Sequence, residues 1–128
     1  MKRLIMDLDN TISVTKNGDY RNATPVKEVV EKLREYKLRG FEIIISSSRN
    51  MRTYDNNIGK INIYTLPIII EWLDRNQVPY DEVYIGKPWC GHDGFYVDDR
   101  AIRPDEFISM GYDEIKKLIN MEGENDSN

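Results

Sequence analysis

Four short polar clusters carry the residue types that do chemistry in this chain: Asp7-Leu8-Asp9, Ser46-Ser47-Ser48-Arg49, Gly86-Lys87 and Asp98-Asp99. Asp7 and Asp9 are two positions apart, a spacing that puts both carboxylates on one side of a continuing strand and turns Leu8 into the core. One carboxylate can attack phosphorus as a covalent nucleophile. The other can protonate the leaving oxygen and then deprotonate the water that breaks the acyl phosphate. Lys87 and Arg49 bring positive charge for phosphate oxygens, and Ser47 brings a hydroxyl donor. If Asp7, Asp9, Asp98 and Asp99 converge, they repel one another unless a cation sits among them. Hard oxygen ligands of this kind suit magnesium. These are the parts of a phosphoryl-transfer site: a nucleophile, a metal, and donors around the equatorial oxygens.

Each cluster alone has a plainer reading. A D-x-D is most often a solvated turn, a serine run a loop, a lysine after glycine a surface residue, and Asp-Asp-Arg a turn with an ion pair. Their common placement, each after an apolar run, argues against four coincidences. Lys2 to Leu8, Phe41 to Ile45, Val83 to Ile85 and Gly94 to Val97 read as short buried strands, and each runs into one of the clusters. Between them, Thr24 as N-cap and Pro25 at the first helical position open a helix that Gly40 ends. Leu66 to Asn76 reads as a second helix, and Asp105 to Asn120 includes a closing one. Met51 to Asn62 reads as a loop, and Asn17-Gly18 centres a small hairpin within Ser13 to Asn22. Strand-helix alternation predicts an α/β fold with a mainly parallel sheet, and ligands of such sheets sit at the strands' carboxyl ends.

The 128 residues fit one domain, expected over 1–120, with a polar and frayed tail over 121–128. Hydrophobic residues are 40% of the chain, enough for one core, and the formal net charge is −4. That balance gives no basic face for nucleic acid, which is not expected as a partner. A single cysteine, Cys90, cannot close an internal disulfide. The first apolar run is too short for a secretory h-region, and no segment is long enough to span a bilayer. A soluble cytoplasmic protein with no membrane partner is the expectation. Cys90 and His92 form a C-x-H pair, but two ligands do not make a zinc site. The turn around Asn17-Gly18-Asp19-Tyr20 reads equally as a plain hairpin or as a flap over the site.

In order, the clusters resemble the motifs of the haloacid dehalogenase (HAD) superfamily. Asp7-Leu8-Asp9-Asn10-Thr11 is similar to its D-x-D-x-T first motif, and Ile43 to Arg49 to its strand ending in Ser or Thr. Gly86-Lys87-Pro88 is similar to its lysine motif, and Phe95 to Asp99 to its acidic fourth motif. The resemblance implies a three-layer Rossmann-like HAD core and a magnesium-dependent phosphomonoester hydrolase acting through an aspartyl-phosphate. Asp7 would be the nucleophile and Asp9 the general acid/base, with the Asp9 backbone carbonyl also on magnesium. Ser47 would bind the transferring phosphoryl group and Lys87 would steady it. Thr11, Arg49 and Ser46 would contact substrate, and Ser46 exchanges with Ser47 if its strand ends early. Asp99 would be the direct metal ligand with Asp98 in support, or the reverse. The spacings from Thr11 to Phe41 and from Ser47 to Lys87 hold no cap domain. An uncapped site is open, and it borrows selectivity from its loops or from a second subunit, so a homo-oligomer is expected. The substrate class is a phosphorylated small molecule, with a lean toward a sugar phosphate. Transfer to an acceptor other than water is the alternative, as is a receiver-like phospho-acceptor module, although such a module would carry its acceptor on a later strand.

Overall fold

The computed structural model describes residues 2–119, so the tail expected over 121–128 lies outside the described residues. The chain divides into two compact units, Met1–Trp89 and Cys90–Asn128.

The first unit is built on a parallel sheet of three strands: β1 (Arg3–Asp7), β4 (Glu42–Ser46) and β5 (Glu82–Tyr84), in the order β1-β4-β5. The middle strand carries Ile43, Ile44 and Ile45, all buried. An unbroken β-branched run is what a strand needs when both its faces are covered. Before it comes α1 (Lys27–Leu38), which buries Val29, Val30, Leu33 and Tyr36 and packs on β4. The helix stops where Gly40 adopts a φ of 92°, a left-handed turn that suits glycine. Asp81 ties the start of the sheet together: its carboxylate accepts from the Ile43 N–H at 2.8 Å and pairs with Lys37 at 2.6 Å.

The expected helix start at Thr24-Pro25 is corrected by the structure. Those residues form the short strand β3 (Thr24–Pro25), antiparallel to β2 (Ser13–Val14), with Ser13 opposite Pro25. The Val26 N–H then donates to Ile12 O at 2.7 Å. The backbone is therefore still engaged in this ribbon where helical bonds were expected, and the helix begins two residues later. A hairpin forms, with Asn17 and Gly18 both at positive φ in its loop, but its second arm is Thr24–Pro25 and lies beyond the expected Ser13 to Asn22.

The loop expected from Met51 to Asn62 is also shortened. Turns run through Asn56, and α2 (Ile58–Tyr64) follows, with the Asn57 side chain capping the Lys60 N–H at 3.1 Å. A single buried residue, Ile61, fastens this helix, too little periodicity to read from sequence. Then α3 (Leu66–Arg75) buries Ile69, Trp72 and Leu73, matching the expected helix.

No strand occurs among the described residues of the second unit. Gly94 to Val97, expected to be a fourth strand, forms no regular element, with Phe95 and Val97 largely exposed. A strand draws its backbone bonds from a neighbour, and the described residues of its own unit offer none. The closing helix is two helices, α4 (Pro104–Ser109) and α5 (Tyr112–Leu118). The break is a new N-terminus at Gly111, whose N–H is taken by the Glu114 carboxylate at 3.1 Å.

Candidate functional site

Asp7 is the last residue of β1 and lies in register with Ser46, which is in register with Tyr84. Register partners project to one face of a sheet, so Asp7 and Ser46 sit side by side at the strands' carboxyl ends. The Asp7 carboxylate faces the Lys87 ammonium, with Oδ1 and Nζ 3.6 Å apart, and Oδ2 accepts weakly from the Thr11 hydroxyl at 3.4 Å. Burial pushes the Asp7 pKa above its ordinary 3.8. The Lys87 charge and the Leu8 backbone N–H oppose that rise, and the neighbouring Asp9 charge adds to it. The Asp7 side chain is still 38% exposed, so a substrate can reach it.

The chain leaves β1 through a tight turn. The N–H groups of Thr11, Ile12 and Ser13 all converge on Leu8 O, and Asn10 takes a φ of 62°. This turn holds Thr11 beside Asp7 and sends Asp9 toward the second cluster. There Asp9 is gripped by Arg49: Nη2 meets Oδ1 at 2.7 Å and Nε meets Oδ2 at 3.2 Å. The fork is bidentate, with the Arg49 side chain 2% exposed and the Asp9 side chain 29% exposed. The ring of Tyr20 covers the guanidinium, its centroid 4.1 Å from Cζ. Tyr20 is a site residue that no motif signalled; the only hint was its place in the turn after Asn17-Gly18.

Ser47 follows the last residue of β4 and is buried. Its N–H donates to Tyr84 O at 2.9 Å and its carbonyl accepts from the Lys87 N–H at 3.1 Å. The parallel ladder thus continues past β5 and delivers Lys87 to Asp7. The Ser47 hydroxyl accepts from the Arg49 N–H at 3.0 Å, which leaves its own hydrogen to donate. Gly86, at a φ of 85°, allows the close approach: a Cβ there would lie 2.7 Å from Ile58 Cδ1.

Of the expected site residues, Asp7, Asp9, Thr11, Ser46, Ser47, Arg49 and Lys87 therefore gather at one end of the first unit's sheet. Asp98 and Asp99 belong to the second unit, where both are exposed and the Asp98 carboxylate accepts from the Arg100 N–H at 2.9 Å. Among the described residues, no three His, Cys, Asp or Glu side chains form a metal-holding group. Magnesium needs no such cage, because one or two carboxylates with phosphate and water commonly suffice. Asp7 fits that demand: it is a hard carboxylate raised in pKa by burial, which a cation would relieve. The Asp9 carboxylate is spoken for by Arg49, so only its backbone carbonyl would be offered to a metal.

No family model and no curated protein matches this chain. Among solved structures, one chain of the Pnkp1/Rnl/Hen1 complex is 22% identical with a TM-score of 0.50, over 84% of this chain and 33% of that one. That likeness concerns the fold alone. A target protein from Vibrio cholerae, known from a crystal structure, is 63% identical with a TM-score of 0.92, over 95% of this chain and 99% of that one. A mainly parallel α/β unit with the described site thus comes with a near full-length relative, and this chain belongs to the same family as that Vibrio cholerae protein.

Proposed function

We propose that this chain is a magnesium-dependent phosphomonoester hydrolase of the HAD type, with Asp7 as nucleophile and a sugar phosphate as the favoured substrate class. One observation carries the reading: Asp7, at the carboxyl end of β1, faces the Lys87 ammonium at 3.6 Å while Asp9, two residues on, is separately held by Arg49. Two neighbouring carboxylates in different environments are suited to different tasks. Asp7, next to a fixed positive charge, is the one to attack phosphorus; the P–O bond to the leaving group breaks as the Asp7–phosphorus bond forms. Asp9, protonated, gives its proton to the departing oxygen; it then takes one from water as the water oxygen bonds to phosphorus and the Asp7–phosphorus bond breaks, releasing phosphate. To do so it must exchange part of its contact with Arg49 for substrate. Lys87 and the Ser47 hydroxyl neutralise and orient the phosphoryl oxygens. Bound magnesium would add charge neutralisation at Asp7 and the Asp9 carbonyl.

Phosphate release from a panel of sugar phosphates, nucleotides and phosphopeptides, with and without magnesium, tests the reading. Turnover is expected with magnesium, falling by several powers of ten in Asp7→Asn. Near-parental turnover by purified Asp7→Asn would sink it. Product appearing only when an alcohol acceptor is present would move the assignment to a phosphotransferase.

A further inference from the structure

Tyr20 lies in a one-turn 3-10 helix, Tyr20–Asn22, inside the loop that joins β2 to β3. The loop is not a free flap. The Trp72 indole N–H donates to Ala23 O at 2.9 Å, the Arg75 guanidinium donates to Arg21 O, and Asn22 Nδ2 donates to Asp19 Oδ2 at 3.0 Å. Two of these bonds come from α3, so the helix holds the loop in place and with it the Tyr20 ring over Arg49. Beneath the ring, Arg49 spends Nε and Nη2 on Asp9, while Nη1 is buried without a hydrogen-bond partner. A buried guanidinium N–H left in this way is costly. Stacking on an aromatic face offsets part of that cost and fixes the plane of the fork.

We propose that Tyr20 is a positioning residue of the site. Its ring sets the plane of the Arg49 guanidinium, and the bidentate fork passes that orientation to the Asp9 carboxylate. The inference rests on the reading of Asp9 as acid/base. It goes beyond that reading by making the β2–β3 loop a fixed wall whose orienting element is one aromatic ring. Small displacements of a reacting group are expensive in rate, so loosening Arg49 should slow the chemical step more than it weakens binding.

The test compares Tyr20→Ala, Tyr20→Leu and Tyr20→Phe with the parent. The first readout needs no substrate: the Arg49 Nε–H resonance in a proton-nitrogen spectrum, assigned with Arg49→Lys. In the parent and in Tyr20→Phe it should be a resolved, slowly exchanging peak. In Tyr20→Leu, which keeps bulk but has no π face, and in Tyr20→Ala, it should collapse to the position of solvated arginines while the backbone spectrum stays folded. The second readout is kinetic: kcat about tenfold lower in Tyr20→Leu with KM within about threefold, and most of the loss restored in Tyr20→Phe. A slowly exchanging peak retained in folded Tyr20→Leu would overturn the positioning role. So would a Tyr20→Phe variant as slow as Tyr20→Leu. An inactive parent would instead remove the hydrolase reading, and the resonance would still decide whether Tyr20 holds Arg49.

Discussion

At Asp7, burial and charge pull in opposite directions, and burial wins, so its carboxyl group holds a proton to higher pH in the folded chain than in the unfolded one. The sign for stability follows. Between 3.8 and the raised folded value, the native state binds more protons than the unfolded state, so stability falls as pH rises through that window. Asp7→Asn removes this term. Without metal, the variant should melt above the parent at pH 7 and lose that advantage toward pH 3, a comparison that differential scanning calorimetry makes directly. An Asn variant less stable than the parent at pH 7 would mean that the Lys87 contact outweighs burial. The same scale shows what the sequence could convey. The D-x-D spacing was legible because strand geometry dictates it. The partner of Arg49 was not: a basic residue after a strand suits a phosphate as well as a carboxylate. Only the fold brings Asp9 to it from 40 positions away.

The elements that place these groups are short, and their boundaries depend on tertiary bonds more than on local preference. The β4 strand was readable from its isoleucines, and α3 from its apolar period. Thr24-Pro25 carried a good helix-start signal, yet pairing with β2 took those residues into a strand. Gly94 to Val97 had the apolar run of a strand, but no partner strand occurs among the described residues of its unit. Between β5 and Lys87 the deciding residue is Gly86. Its φ of 85° is one that side-chain-bearing residues avoid, and the Ile58 side chain occupies the space where a Cβ would go. Gly86→Ala should therefore cost about 1–3 kcal/mol of stability in urea unfolding. It should also move Lys87 away from Asp7, lowering kcat. Pairing it with Ile58→Ala separates the two causes. Relief of the clash restores part of the stability, and whatever remains is the backbone conformation.

At the scale of the whole chain, the residues that the motif resemblance assigns to one proposed reaction fall in two units. The first holds the proposed nucleophile Asp7, Lys87 and the Asp9–Arg49 fork; the second holds Asp98 and Asp99. No helix among the described residues is long and apolar enough to cross a membrane. Magnesium provides a measurement on the whole chain. A ligand that binds only the native state stabilises it by RT ln(1 + [L]/Kd), about 2.7 kcal/mol at a hundredfold excess over Kd. For a chain of this size that is a rise of several degrees in Tm. The full-length parent should show such a rise with magnesium and lose it with a chelator. Asp7→Asn should show the opposite pattern, a higher Tm without metal and little further gain on adding it. This is because the substitution removes both the buried charge and the ligand that magnesium would neutralise. Asp99→Asn applies the same measurement to a carboxylate of the second unit. An equal rise in the parent, Asp7→Asn and Asp99→Asn would put the bound ion elsewhere on the chain and detach metal dependence from the nucleophile.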